Sequence, residues 1–375
     1  MQIEKNALIS AIDRVMPGIS KGKTDLAGMD TIIIDEVGLH AFNGTICATV
    51  ALDTGGIKGA VVGDKFFKLV KSLKGDDVLL EHTDAGLLVK CGRNKTTLSW
   101  IVDIATPEFI AEYHNMEPSI PLPEDFQDAL RVCNIPTNTK DYAGTIFCDN
   151  NVYSTDQIRS NIYKFETPLL DDAGAPAKFW VSLQNSLQLL KLNDKFTHYT
   201  KRHTLSDGTV EEDVWVHFKT SEGTIFSCTL LNMEPANVVI PFLANFGALQ
   251  KEEGETEGIL PQDFPDAIKR VGVVSSKSQD GALDFVKLTF SKESLAINSK
   301  SKAGTSDEVL DWPTDGIKIK ESFSCLYPVS YLTEIYEKAK EFFVKELQGG
   351  NGPVTVLIFN SGGYRHLVSN LSDPG

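Results

Sequence analysis

The chain has little that would mark an enzyme or a membrane protein. No apolar run reaches the roughly 18 residues that a membrane-spanning helix needs. The six cysteines (Cys47, Cys91, Cys133, Cys148, Cys228 and Cys325) never fall in a CxxC pair, so the usual zinc-ribbon and thioredoxin-type spacings are missing. The seven histidines form no H-E-x-x-H and no Cys/His cluster. His198 and His203 lie in a strand-and-turn segment, where packing or surface roles outweigh metal binding. There is no G-x-G-x-x-G and no G-x-S-x-G. PGISKGKT at 17–24 comes nearest to a phosphate loop. Pro17 stands where that loop needs its first glycine, and a helix-like segment precedes it instead of a strand. Asp171-Asp172 sits beside a Gly/Pro/Ala stretch and reads as a loop. No cofactor and no metal are expected, and nothing assembles a nucleophile, a base and an oxyanion donor.

Positive charge is also scarce. Thirty-six basic residues face 51 acidic ones, a net charge of -15. The deficit is even: residues 1–120, 121–250 and 251–375 carry nets of -4, -6 and -5. A general nucleic-acid coat is normally basic throughout, so that class is disfavoured. The opening MQIEKNALISAIDR lacks the basic and apolar regions of a secretion signal. Reduced, mostly buried thiols in a cytoplasmic protein are therefore expected.

What the sequence does contain is a repeat. LPEDFQDALRVC at 122–133 and LPQDFPDAIKRVG at 260–272 share L-P-x-D-F-x-D-A, an apolar residue, a basic residue and a valine. KNALISAIDRVM at 5–16 fits as a third copy, with Arg14-Val15, Arg131-Val132 and Arg270-Val271 in register. Each copy precedes strand-like segments, a second helix-like segment and further short strands. The fold expected is α+β, with three domains of two helices packed on antiparallel sheets: 1–120, 121–250 and 251–375. The joints fall at 103–121 and 242–258.

Six helices are expected, over 4–15, 64–74, 124–132, 182–192, 262–271 and 328–341. In 262–271, Phe264, Ala267, Ile268 and Val271 follow the i, i+3, i+4, i+7 spacing of one apolar face. FFVKEL reads as a strand, although the helix before it could run through. The helices net +1 and the rest of the chain -16. Ordinary solvated helix faces explain this about as well as a surface that tolerates a polyanion. Lys65, Lys68, Lys71 and Lys74 at three-residue spacing favour the second view.

Three α+β units in one acidic chain, each with two basic-edged helices, resemble the bacterial sliding clamp, the beta subunit of the replicative DNA polymerase. YSTDQIRSNIYKF at 153–165 is similar to that family's A-T-D-G-H-R-L-A segment. PVSYLTEI at 328–335 resembles its N-V-S-Y-L-L-D helix, and YRHLVSNL sits where the family has Y-V-V-M-P-M-R-L. The resemblance implies a non-enzymatic processivity factor, in a diverged form such as a phage would encode. Two chains would join head to tail into a ring around double-stranded DNA, without sequence preference. It also implies DNA polymerase and clamp loader as partners. DNA-facing residues would be Arg14, Lys65, Lys68, Lys71, Arg131, Lys191, Lys269, Arg270 and Lys338. Leu98 would meet Val273 and Val274 across the dimer contact. A partner-peptide pocket would be lined by Tyr142, Thr155, Gln157, Ile158, Arg159, Ser160, Pro235, Val239, Leu283, Tyr331 and Leu367. Gln157-Ile158 replace Gly-His, Pro328 replaces an asparagine, and Val368-Ser369-Asn370 replace P-M-R, so the peptide preferred would differ. For Arg159 a structural salt bridge is an equal alternative. The competing class is a three-repeat enzyme or regulator with a small-molecule site at a domain joint.

Overall fold

The computed structural model describes residues 1–20, 28–101, 118–134, 144–155, 159–192, 195–205, 212–231, 256–277, 284–313, 317–349 and 352–369. Among these are six α-helices: α1 (Lys5–Val15), α2 (Gly63–Ser72), α3 (Phe126–Val132), α4 (Leu183–Lys191), α5 (Phe264–Gly272) and α6 (Val329–Lys338). They match the six expected segments. The sixth stops three residues early: Ala339 is extended, with φ -151°, and FFVKEL enters the strand Glu341–Gly349. The Phe-Phe-Val run carries β-branched and aromatic side chains that suit a pleated surface better than another helical turn.

The chain divides into two compact units, 1–127 with 167–232, and 128–166 with 233–375. The middle third of the sequence is thus shared out, its strands at 144–164 going to the second unit and those at 196–229 to the first.

In the first unit, α1 buries Leu8, Ala11, Ile12 and Val15, one stripe at helical spacing. That stripe packs into a core with Ile32, Leu39, Val61, Phe66, Val70, Val78 and Leu87. An eight-stranded sheet runs in the order 59–62, 31–34, 38–42, 46–51, 225–229, 212–220, 196–205, 120–121. It crosses from the first third of the sequence to the middle third where Cys47 faces Ser227 and Ala48 faces Phe226. A second sheet orders Gln2–Glu4, Asp77–Thr83, Gly86–Cys91 and Asn94–Ser99. Its last strand is an edge, and most of its side chains are exposed.

The second unit repeats the scheme. Its long sheet runs 144–148, 151–155, 159–164, 364–369, 352–361, 341–349, 256–259. The first two strands turn on Asp149 and Asn150, both at positive φ (50° and 70°), the backbone of a tight type I′ hairpin. The crossing between the middle and last thirds falls where Ser160 faces Leu367. The other sheet carries Asp284–Phe290, Ser294–Ser301 and the edge strand Gly304–Asp311, with Phe323–Pro328 also paired to Asp284–Phe290. α5 buries Phe264, Ala267, Ile268 and Val271, the four residues its spacing predicts. The expected joints lie mostly outside the described residues; their described ends are the strands Ile120–Pro121 and Thr256–Ile259.

All six cysteines are buried, and none is in a disulfide. Burial pushes the Cys47 and Cys325 thiols up to about 12, which keeps them protonated and unreactive near neutral pH.

Candidate partner-peptide site and DNA-facing helices

The site begins with a hairpin. Strands Asn151–Thr155 and Arg159–Lys164 pair with Thr155 opposite Ser160. Thr155 Oγ1 donates to the Arg159 carbonyl at 2.9 Å, and Ser160 Oγ donates to Thr155 Oγ1 at 3.1 Å. Arg159 and Ser160 in turn face Val368 and Leu367 on the next strand. α6 supplies the wall. It starts after the extended Pro328, so Tyr331 lies in its first turn and Glu334 and Lys338 follow at i+3 and i+7, on one face.

These residues converge. The Arg159 guanidinium stacks 3.9 Å over the Tyr331 ring and donates to Glu334 Oε2 at 2.6 Å. Lys338 Nζ donates to Glu334 Oε1 at 2.9 Å. Arg159 is only 5% exposed, and Thr155, Ser160, Tyr331 and Leu367 are buried with it. Burial pushes the Glu334 carboxyl up, but the charges of Arg159 and Lys338 and their hydrogen bonds outweigh it and hold the group below its usual range. The salt bridge weighed as an alternative role for Arg159 is present, and the planar guanidinium is also held flat on an aromatic face. Beneath it, Asn161 Nδ2 donates to the Val132 carbonyl at 2.6 Å, and Tyr364 Oη donates to Asn161 Oδ1 at 3.0 Å. His366 lies against both. Burial holds it neutral, helped by the nearby Arg159 and Lys338 charges.

Five of the eleven expected pocket residues (Thr155, Arg159, Ser160, Tyr331 and Leu367) are therefore gathered around one hairpin and one helix. Tyr142, Gln157, Ile158, Pro235, Val239 and Leu283 lie outside the described residues. Sequence reading missed Glu334, which fixes Arg159. Its spacing from Tyr331 on a helix face was the available signal.

The expected DNA-facing cations all sit on helices, and most already have partners. Arg14 pairs with Glu222, and Lys68 lies 3.8 Å from Asp64. Arg131 meets Asp128 at 2.6 Å, and Arg270 makes two bonds of 2.7 Å to Glu308. Lys338 holds Glu334, Lys191 donates to Gln188 at 3.2 Å, and Lys71 sits 4.0 Å over the Phe67 ring. Lys65 and Lys269 are exposed. Leu98 is half-buried on the edge strand Asn94–Ser99 and packs against the first core. Val273 is 82% exposed just after α5, with Val274 half-buried beside it.

Of the chemistry-like features, His198 Nδ1 bonds its neighbour Thr197 Oγ1 at 3.1 Å. Asp171 caps its own loop through the backbone N–H groups of Ala173 and Ala175. Among the described residues no group of three or more His, Cys, Asp or Glu side chains could hold a metal ion. Lys23 of the near phosphate loop falls outside the described residues.

No protein-family model matches this sequence, and no curated protein sequence matches it significantly. Solved structures do. A Helicobacter pylori beta clamp bound to a DNA ligase peptide matches with a TM-score of 0.74 at 17% identity, over 99% of each chain. The DNA polymerase sliding clamp of Bacillus subtilis matches at 0.73 and 16%, over 99% of this chain and 98% of that one. A putative DNA polymerase III beta subunit from Eubacterium rectale matches at 0.71 and 13%, with the same coverage. The fold is that of the bacterial DNA sliding clamps, built of repeated domains and matched end to end. At 13–17% identity this likeness is one of fold.

Proposed function

We propose that this chain is a DNA sliding clamp, a processivity factor that tethers a replicative polymerase to duplex DNA and performs no chemistry itself. The observation that carries the reading is the repeated scheme of two long sheets, each completed by strands from two successive sequence repeats, over a length matched end to end by clamp structures. The repeats 1–120, 121–250 and 251–375 are the domains of this reading. Two chains close head to tail into a ring in the cytoplasm. The two sheet edges suit that closure. Asn94–Ser99 is exposed and follows Arg93, with Lys95 within it; Gly304–Asp311 exposes Asp307, Val309 and Asp311. Unpaired backbone groups and opposite charge favour sheet extension from one copy to the next, with Leu98, Val273 and Val274 in the contact.

DNA passes along the helices. Topology retains the ring, so a modest charge suffices. Arg14, Lys68, Arg131, Arg270 and Lys338 each have a carboxylate partner already. A phosphate must compete with that partner, which weakens the grip and favours sliding. The Arg159–Tyr331–Leu367 site takes a short hydrophobic peptide from a polymerase or clamp loader, as a ligase peptide binds the Helicobacter pylori protein. Sedimentation equilibrium tests the assembly: the native chain runs as a dimer, and Leu98→Asp with Val274→Asp as a monomer. A dimer that survives both substitutions rules out these edges.

A further inference from the structure

The two units place different residues at one equivalent position. Strands 38–42 and 46–51 of the first unit correspond in sheet order to 151–155 and 159–164 of the second. Phe42 faces Cys47, and Cys47 faces Ser227, as Thr155 faces Ser160 and Ser160 faces Leu367. α4 and α6 each begin directly after a strand and precede the next one of the long sheet. Counting from these anchors, Ile46 takes the place of Arg159 and Gln188 the place of Glu334. In the second unit an ion pair of 2.6 Å fills this position. In the first unit it lies in the lining of an open cavity of about 620 Å³.

We infer that this cavity is a second peptide-docking site, for a short, extended, uncharged segment of a protein partner. Ile19, Ile46 and Leu192 form a buried apolar floor, and Phe67 adds an aromatic wall. Gln184 and Gln188, one helical turn apart, present carboxamides, which offer a donor and an acceptor each to a peptide backbone. Asn43 is fixed: its Oδ1 accepts from the Ile46 N–H at 2.8 Å and its Nδ2 donates to the Pro17 carbonyl at 3.1 Å. Among the described residues, the charged groups in the lining are one acid, Asp13, and one base, Lys191. Such a balance selects neither a phosphate nor an acidic tail. Apolar floor and convergent amides in a volume of this size are the usual makings of a pocket for a small flexible ligand. The choice of a peptide over another neutral ligand rests on the reading of the equivalent second-unit site as a peptide pocket.

The experiment uses the full chain with ¹³C-labelled isoleucine and leucine methyl groups and the blocked, uncharged probe acetyl-Leu-Gln-Ile-Gln-Ala-amide. The Ile19 and Ile46 methyl resonances are expected to shift and saturate. Gln184→Ala with Gln188→Ala weakens that binding about tenfold. Ile46→Arg with Gln188→Glu, which transplants the second unit's ion pair into the cavity, abolishes the response in a chain whose thermal melt shows it is folded. Leu367→Ala leaves the response within about twofold. Methyls of Ile19 and Ile46 that stay still at millimolar probe overturn the inference, as does binding that survives both the double alanine and the transplant. Shifts at Leu367 alone also overturn it while the clamp reading stands. Cavity binding in a chain that fails to remain on circular DNA leaves the cavity standing and ends the clamp reading.

Discussion

The Arg159–Glu334 position of the second unit and the Ile46–Gln188 position of the first are the same place in the same scheme of strands and helices. One is closed by charge and the other is open and neutral. In the second unit the guanidinium is held between a carboxylate at 2.6 Å and an aromatic ring at 3.9 Å, so the position is filled by a rigid ion pair whose guanidinium is buried. In the first unit an isoleucine cannot reach across, and the glutamine amide makes its contact with Lys191 at 3.2 Å instead. A repeated backbone thus carries two different fillings of one position, set by two residues per copy.

The largest effect expected from breaking this contrast is on stability. Glu334→Ala removes the Glu334 carboxylate from the buried Arg159, which is expected to cost on the order of 2–3 kcal/mol, because a buried charge loses part of its compensation. Gln188→Ala in the first unit is expected to stay within about 0.5 kcal/mol, as for ordinary substitutions of partly exposed polar groups. Urea unfolding of the two variants checks the difference. Equal losses would mean that the ion pair is not what distinguishes the units.

Acid sharpens the comparison next. The folded-state pKa of Glu334 lies below its unfolded value of 4.5. Its contribution is therefore fully present above pH 4.5 and is lost as pH falls through the lower folded value. Native protein should lose stability more steeply than Glu334→Gln below about pH 4.5, measured as urea midpoints from pH 6 to pH 3. Parallel curves would show that the carboxylate carries no such linkage.

Exchanging the pair for its counterpart is expected to cost less stability than breaking it. Arg159→Ile with Glu334→Gln removes both charges together, and replacing a buried ion pair by neutral groups is often close to neutral, so a loss under about 1.5 kcal/mol is expected. The same double variant should lose the cognate hydrophobic peptide of a polymerase, read by calorimetry. A variant as unstable as Glu334→Ala would show that the pair is not coupled.

Much of this was legible in the sequence, and what was not has a physical reason. The stripes of α1 and α5 could be read because burial on one helix face imposes a 3.6-residue period. Tyr331 and Arg159 were found through their motifs. Their union with Glu334 was not, because Arg159 and Glu334 are 175 residues apart and periodicity records only local neighbours. The junction of Ile46–Ala51 with Ile225–Thr229 left no trace either. Strand pairing is made by backbone groups that every residue carries, so the sheet can cross from one sequence repeat to the next unannounced. The compact units consequently divide the middle third, where the repeat suggested a whole domain. The cavity at Gln188 is lined by residues from 13–20, 43–46 and 184–192, too far apart in sequence for a local pattern to record.

The central claim is that this chain holds DNA by encircling it. The most direct measurement loads the protein onto nicked circular DNA with a clamp loader, isolates the complex by gel filtration at high salt, and then linearises the DNA with a single-cutting nuclease. The account predicts that protein stays with the circle through the column and runs off after the cut, whatever the DNA sequence. Protein that leaves the intact circle in high salt, or that remains on the linear product, would contradict it.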